Sequence, residues 1–254
     1  MAALDAELKL TASAAGNATN RSPAAVWDTI VRATVGGGYR DNVLGSSVAL
    51  ESSAFFISSA DASFIRLSES GAWFSLFLLG EDVRFFDAPS VDKEQLFSGS
   101  AQFTRPVGER EEFGANLLYL YQNQVFDVSD TEASLRRLLV EGHSVGVRPH
   151  WEHTLVRGWS VRLEGIMLRQ FYVSELDDFW EGGGKLSLIH SYGRRSELSL
   201  SYQSRHRFYD TRLQADSNGN SLTDTSLVYW QQDIGSEWRH YWDAGRHWRT
   251  RTRA

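Results

Sequence analysis

The sequence alternates between apolar and polar residues over long segments. A period of two residues is typical of β-strands, whose successive side chains point to opposite faces of a sheet. Leu198, Leu200 and Tyr202 alternate with polar residues, and residues 228–242 continue the same pattern over fifteen residues. Strands in soluble sheets usually have about 5 to 6 residues. The alternation therefore predicts an all-β chain built from unusually long, two-faced strands.

Further alternating segments recur along the chain and predict about eleven strands, or twelve if residues 6–14 also pair. The pattern is less clear at residues 55–67, where Asp61 stands among apolar neighbours, and at residues 73–79, which are apolar at both parities. We expect strands there as well. No internal linker divides these segments, so the sequence predicts one strand-built unit at residues 29–254. Residues 1–28 form a lead-in with a possible extra strand and a short helix.

The segments that connect these strands alternate in length and charge. Short connections contain Gly and Arg, and long connections contain Asp and Glu. The short ones are expected at residues 68–71, 106–110, 156–158, 193–195 and 243–246, and the long ones at 42–53, 87–94, 127–141, 175–178 and 210–224. One end of the predicted sheet is therefore tight and basic, and the other is elaborated and acidic.

Two connecting segments contain helix signals. Ser22 followed by Pro23 is a plausible start for a helix at residues 24–28. Ser129 or Asp130 can begin a helical turn that carries Leu135, Leu138 and Leu139 and ends at Gly142. We expect both helices to be short.

Composition and charge exclude several classes of protein. The 254 residues include no Cys, so disulfide scaffolds, Cys-ligated zinc and iron–sulfur clusters are excluded. A net charge of -6 and a pI near 5.7 argue against a nucleic-acid partner. No stretch approaches the roughly 18 apolar residues of a membrane-spanning helix. Residues 1–10 show no secretory signal, so the chain is either cytosolic or a processed or partial chain.

Long two-faced strands joined by alternating short turns and long loops match what a bilayer requires of a sheet. In hydrocarbon a sheet must close on itself, with an apolar outer face and a lumen that can hold water. Aromatic residues make up 13% of the chain, including nine Trp, which is more than a typical soluble domain contains. Two belts of aromatic residues, one at each membrane interface, would account for this excess. The residues predicted to lie at these interfaces are Tyr39, Trp159, Trp180, Tyr192, Tyr241, Trp242 and Trp248.

With these features, residues 29–254 resemble bacterial outer-membrane β-barrel proteins, the porin-like group. The run Gly36-Gly37-Gly38-Tyr39-Arg40-Asp41-Asn42 is similar to the Gly-Tyr-Asp-x-Asn start of barrels that follow helical repeats in export systems, although Arg40 interrupts it. The resemblance implies a transmembrane antiparallel up-and-down barrel in the outer membrane. It also implies three partners, namely outer-membrane lipid, the barrel-assembly machinery and a periplasmic or upstream helical-repeat domain. Family members end on a strand with a terminal Phe or Trp, whereas this chain ends at Ala254, so we expect a partial chain.

The polar parity of the strands predicts a charged inner face. Mixed charges on that face can line a hydrophilic passage for small polar solutes or an exported polymer. They can equally form structural ion-pair ladders between neighbouring strands. The predicted pore-lining residues are Arg32, Arg40, Arg148, Glu152, Arg162, Glu164, Lys185, Glu197, Arg205, Arg207, Asp233, Glu237 and Arg239.

Other functions remain as alternatives to a pore. One is a surface barrel with a plugged lumen whose acidic loops bind a partner, and another is a soluble all-β binding protein. A lipid-acting barrel enzyme needs a Ser and a His on one face, whereas His190 and Ser191 point apart. His150 and His153 also point to opposite faces, so we expect no metal site. The sequence predicts no cofactor and no enzymatic activity.

Overall fold

The computed structural model describes residues 27–47, 50–68, 70–129, 136–173, 176–193, 196–215, 221–242 and 249–253. Within these ranges the regular structure consists of strands. The strands are β1 (Trp27–Arg40), β2 (Ser53–Leu67), β3 (Trp73–Phe85), β4 (Lys93–Val107), β5 (Glu111–Asp127), β6 (Arg137–Val156), β7 (Trp159–Tyr172), β8 (Phe179–Tyr192), β9 (Ser196–Ala215), β10 (Ser221–Tyr241) and β11 (Arg249–Arg253). The predicted all-β class and the count of eleven strands are confirmed.

The eleven strands form one antiparallel sheet in chain order, from β1 at one edge to β11 at the other. Ten of the eleven have 13 or more residues, and β10 has 21. Following the paired residues from strand to strand leads from Trp27, at the start of β1, to Gln232 of β10, which lies nine residues before the end of that strand. The strands are therefore staggered. Among the described residues the sheet is open, since β1 and β11 do not pair with each other.

The register fixes which residues share a face, because directly opposed residues in an antiparallel pair point the same way. Following the pairs from Ala33 through Ala60, Gly80, Phe97 and Tyr121 defines one face, and the alternate residues define the other. We call the first the apolar face, since Leu, Val and aromatic residues dominate it. The second is the polar face, and it carries most of the strand Ser, Glu and Arg residues.

The connections alternate in length as predicted over most of the sheet. Between β2 and β9, the short connections run over residues 68–72, 108–110, 157–158 and 193–195, and the longer ones over 86–92, 128–136 and 173–178. The two-residue β6–β7 turn requires Gly158, which adopts a φ of 83° that other residues rarely tolerate. We call the two ends of the sheet the short-turn end and the long-loop end.

A small hydrophobic core lies at the long-loop end, and the sequence did not predict it. Val43 and Leu44 from the β1–β2 loop and Val91 from the β3–β4 loop pack on Val83 and Phe85. Ser53 and Glu51 reinforce the contact, because Ser53 Oγ accepts a hydrogen bond from the amide of Asp87 and Glu51 accepts one from the amide of Ser90. These two loops are therefore packed against the sheet.

Two helix predictions are affected by the structure. Leu138 and Leu139 lie in β6, paired with Phe126 and Val125, so the predicted helical turn is wrong there and the long connection is shorter than 127–141. The predicted helix at residues 24–28 is wrong at its end, because Trp27 and Asp28 belong to β1, which begins inside the predicted lead-in of residues 1–28. The rest of that segment, including residues 6–14 and 22–26, lies outside the described residues. Strands β9 and β10 likewise extend into the predicted 210–224 loop.

A glycine patch in β8 gives a test of the register. A Cβ added at Gly183 would lie 2.2 Å from the carbonyl oxygen of Ser204 in β9, whereas one at Gly182 would have its nearest neighbour at 4.0 Å. We expect Gly183→Ala to lower the free energy of unfolding by about 1–3 kcal/mol through overpacking, and Gly182→Ala to change it little. Urea titrations of both folded variants measure this difference. Equal losses would contradict the β8–β9 register.

Candidate functional site

The apolar face of the sheet is the exposed one. Ile234 is 79% exposed, Val35 73% and Leu117 56%, and all three lie on this face. At these exposures the three side chains are not covered by any other part of the described chain. A soluble sheet buries such a face, since large exposed apolar patches mark sites that contact a partner or a membrane.

The polar face is the more covered one. Ser98, Ser100 and Thr104 of β4 are at most 4% exposed, and Glu181 of β8 is 8% exposed, all on this face. Side chains crowd together on the concave side of a curved sheet and spread apart on the convex side. The burial difference is therefore the one expected if the sheet curves around its polar face.

The apolar face is organised as a band with polar borders. In β5 the band covers residues 113–121, nine residues between Glu111 and Asn123, and in β4 it covers residues 97–103, seven residues between Arg105 and Gln95. In β9 it covers the eleven residues 198–208, interrupted by two polar positions, and ends before Asp210. A tilted strand needs about 9 to 11 residues to cross the hydrocarbon layer. The bands of β5 and β9 reach this length, and the band of β4 is two residues shorter.

Aromatic and histidine rings line the band at the short-turn end. The ring centroids of Trp159 and His190 lie 4.3 Å apart in a stacked arrangement, and those of Tyr192 and His240 lie 5.8 Å apart. Trp238 Nε1 donates a hydrogen bond to the Tyr192 hydroxyl at 2.6 Å, and Trp242 meets His240 edge to face. Rings with a polar atom at one edge are the side chains found at water–hydrocarbon boundaries.

A charged cluster closes the band at the long-loop end of β7 to β9. Arg169 donates two hydrogen bonds to the carboxylate of Asp210, at 2.8 and 2.5 Å, and lies 3.5 Å from Asp178. Its guanidinium also lies over the rings of Phe171 and Trp180, at 4.7 and 5.2 Å from their centroids. Arg169 thus contacts aromatic rings with its planar surface and acidic groups with its edge, which suits a boundary between an apolar and an aqueous phase.

The predicted interface aromatics are placed as follows. Tyr39, Trp159, Trp180 and Tyr192 lie on the apolar face near its ends, and Trp242 directly follows β10. Tyr241 lies on the polar face, so its ring does not join the short-turn row. Trp248 lies outside the described residues.

All thirteen residues predicted to line a lumen lie on the polar face. The register places them there without exception, from β1 to β10. These residues are Arg32, Arg40, Arg148, Glu152, Arg162, Glu164, Lys185, Glu197, Arg205, Arg207, Asp233, Glu237 and Arg239. The structure therefore brings all thirteen residues onto one surface of the sheet.

Several of these residues form ion pairs across neighbouring strands. Glu181 of β8 accepts hydrogen bonds from Arg207 at 2.9 Å and from Arg205 at 3.4 Å, and Arg205 lies 3.6 Å from Asp233 of β10. This series, Asp233–Arg205–Glu181–Arg207, is called the β8–β10 ladder below. The side chain of Glu181 is only 9% exposed, so its two arginine partners compensate a largely buried charge.

Other pairs leave some charges free. Glu152 pairs with Arg162, and Glu237 pairs with both Arg239 and Arg251. Within the described part of the chain, five of the thirteen predicted residues form no ion pair, namely Arg32, Arg148, Glu164, Lys185 and Glu197. The polar face therefore combines ion-paired charges with charges that form no ion pair.

Part of this surface was not predicted from the sequence. Glu181 and Arg251 belong to the ladders, but Glu181 sits between aromatic and glycine residues and Arg251 lies in a five-residue strand. The parity of the neighbouring residues was the signal that could have found both. The polar face of β2 to β4 has no Arg or Lys and carries three carboxylates, Asp61, Glu81 and Glu94. Its hydroxyl and amide residues are Ser53, Ser59, Ser63, Ser75, Ser98, Ser100, Gln102 and Thr104.

The structure does not bring together the two pairs of residues that the sequence analysis weighed for metal binding and catalysis. His150 and His153 lie on opposite faces, and so do His190 and Ser191. No group of three or more His, Asp or Glu residues could hold a metal ion in the described ranges. The same ranges contain no helix that is long and apolar enough to cross a membrane.

Comparisons with known proteins give no match: no family model, no curated protein and no solved structure resembles this chain closely enough to count.

Proposed function

We propose that the strands form the wall of a transmembrane β-barrel in a bacterial outer membrane, whose polar face lines a hydrophilic passage. One observation carries this proposal: the exposed face carries an apolar band, which in β4, β5 and β9 is seven to eleven residues long with polar borders at both ends. Hydrocarbon covers such a band without any packing partner from the protein. Water on the same surface would leave a large apolar area uncovered.

The burial difference between the two faces supports this reading over a soluble binding protein. A soluble barrel or sandwich places its apolar face inside and its polar face in bulk water. Here Leu117 is exposed on the apolar face, whereas Ser100 on the polar face is 3% exposed. The orientation of a membrane barrel, apolar outside and polar inside, fits both observations.

The composition of the polar face supports passage of hydrophilic solutes. Its β2–β4 part offers hydroxyl and amide groups with three carboxylates, and its β6–β10 part offers charges of both signs. A lumen of this kind selects solutes by size and charge rather than by a single binding residue. We infer passive diffusion of small polar solutes, or conduction of an exported polymer, as the transport mode.

The barrel resemblance and the two ends of the sheet suggest an orientation. Short turns lie in the periplasm and long loops outside the cell in outer-membrane barrels. This places the row of Trp159 and His190 at the periplasmic boundary and the Arg169 cluster at the outer boundary. Outer-membrane lipid, the assembly machinery and an upstream helical-repeat domain are the partners that the proposal implies.

Reconstitution tests the proposal. The protein is refolded into lipid vesicles, checked for heat-modifiable migration on a detergent gel, and fused with a planar bilayer. Stable ohmic current steps from heat-modifiable protein are the expected result. A chain that stays monomeric and folded in buffer without detergent would contradict the membrane assignment.

A charge reversal on the polar face tests the passage itself. Arg148 forms no ion pair among the described residues and lies on the polar face, so Arg148→Glu adds negative charge where ions are proposed to pass. We expect reversal potentials to shift toward cation selectivity. The matched control is Arg105→Glu, since Arg105 lies on the opposite face, and it should leave the reversal potential unchanged. Equal shifts would show that the two faces are misassigned.

The β8–β10 ladder favours a second candidate, a surface barrel that does not transport. Interleaved charges such as Glu181, Arg205 and Asp233 can fill a lumen with ion pairs. Acidic loops at the outer end would then bind a partner or anchor the envelope. Heat-modifiable, correctly folded protein that gives no current steps would favour this candidate over a pore.

A further inference from the structure

An apolar patch lies at the centre of the polar face. Phe77 of β3, Leu118 of β5 and Leu168 of β7 share this face along one row of the register. Leu79 and Leu120 lie two residues further toward the long-loop end of β3 and β5. All five are half-buried and keep part of their surface open. We call these five residues the central patch, and water alone leaves its apolar surface uncovered.

Small residues on the intervening strands make the central patch continuous. Ser100 of β4 lies in register between Phe77 and Leu118 and is 3% exposed. Gly146 of β6 lies between Leu118 and Leu168, and a Cβ added there would be 3.8 Å from the Leu118 Cβ and 3.8 Å from the Leu168 Cδ1. The large side chains therefore stand directly beside small ones, and the apolar surface extends from β3 to β7.

A cation without a partner borders the central patch. Arg148 follows Gly146 on the same face of β6 and lies opposite Asn116 of β5. Within the described ranges, Arg148 forms no hydrogen bond, ion pair or ring contact. Glu164 of β7 lies opposite His150, one position further along this face, and in the same ranges it forms no ion pair either. The guanidinium of Arg148 is therefore available to a ligand.

These two features fit the two parts of an amphipathic anion. The guanidinium of an arginine binds a carboxylate through two parallel hydrogen bonds. Because Asn116 lies opposite Arg148, Leu118 and Leu120 follow at about 7 and 14 Å along β5. An alkyl chain that leaves the carboxylate in this direction runs over the central patch and removes apolar surface from water. A small inorganic ion would use only Arg148, and a neutral hydrophobe only the patch.

From this juxtaposition we propose that the polar face binds amphipathic anions, with the anionic group on Arg148 and the hydrocarbon chain on Leu118 and Leu120. The inference rests on the proposed passage and names alkyl carboxylates as a class of solute that it holds. An amphipathic cation binds more weakly because Arg148 repels it. A carboxylate with a short chain also binds more weakly, because it covers little of the central patch.

Protection of a single cysteine tests this binding site, because the chain contains no other cysteine. Leu120→Cys is refolded into vesicles, checked for heat-modifiable migration, and treated with a water-soluble, positively charged thiosulfonate reagent. The labelling rate is measured with octanoate, butanoate or octylammonium in the buffer. Ser201→Cys is the matched control, since Ser201 lies on the same face in β9, away from the central patch. Arg148→Gln and Arg105→Gln are each combined with Leu120→Cys, and Arg105 lies on the opposite face.

We expect octanoate to slow the labelling of Leu120→Cys and to leave that of Ser201→Cys unchanged. Butanoate should need about a tenfold higher concentration or more, because four methylene groups are missing. Arg148→Gln should raise the octanoate concentration required about tenfold, and Arg105→Gln should not change it. Labelling without protection at position 120, or equal protection by octylammonium or at position 201, would overturn the anion site and leave the passage standing. Heat-modifiable protein in which neither cysteine reacts would contradict the passage itself, and the inference with it.

Discussion

Leu117→Arg is expected to destabilise the bilayer-folded protein by about 2–4 kcal/mol. Leu117 is the central residue of the nine-residue band in β5 and points outward from the apolar face. An arginine at the bilayer midplane of a β-barrel is destabilising by this amount, and the penalty falls toward the interfaces. Urea titrations of the protein in lipid vesicles, followed by tryptophan fluorescence, measure the change.

Leu118→Arg is the matched control, since the same residue type occurs one position further on the opposite face. On the membrane account its side chain points into a polar lumen, and we expect a loss well below that of Leu117→Arg. If the protein is soluble instead, Leu118→Arg should cause the larger loss of stability, because Leu118 is the less exposed of the two leucines. A larger loss at Leu118 would therefore show that the apolar face is in contact with water.

Glu181→Gln is expected to cost about 3 kcal/mol of folding stability. The substitution removes the charge that holds Arg207 at 2.9 Å and Arg205 at 3.4 Å, on a side chain that is only 9% exposed. Removing one partner of a buried ion pair costs about 3–5 kcal/mol, because the other charge stays desolvated. The low end applies here, since the two arginines are 28% and 33% exposed.

Glu164→Gln provides the comparison for the ladder. Glu164 lies on the same face and, in the described residues, forms no ion pair, so its loss should change stability by less than about 1 kcal/mol. Both variants are measured by the same urea titration. Similar stabilities for the two variants would mean that the β8–β10 ladder contributes nothing to the fold.

Much of the fold could be predicted, because alternation with a period of two residues indicates both that a segment is a strand and which of its side chains share a face of the sheet. Arg148 and Glu152 share a parity, and so do Arg205 and Arg207, so their placement on one face follows from the alternation once strands exist. The register was not needed for that result. It was needed for the pairs, since Glu181 meets Arg207 only through the alignment of β8 with β9.

Other features could not be predicted because they depend on contacts between distant residues. The spacing of Leu residues at 135–139 favoured a helix, but Leu138 of β6 pairs with Phe126 of β5, and this tertiary pairing overrides the local preference. The core at Val43 and Val91 joins two loops about fifty residues apart in sequence, and neither loop shows a periodic signal. Tyr241 is a different case: it was assigned to a membrane belt from its place near a turn, although its parity within residues 228–242 already indicates the polar face, where the register places it.

The central claim is that the apolar face contacts lipid and the polar face contacts water. Single cysteines at Leu117→Cys and Leu118→Cys, in a chain with no other cysteine, can carry the same small fluorophore in vesicle-inserted protein. Quenching is then compared between lipids brominated near the bilayer centre and iodide in the buffer. The account predicts that the probe at position 117 is quenched by the brominated lipid and the probe at 118 by iodide. Iodide quenching at 117 with no effect of the brominated lipid at either position would contradict it.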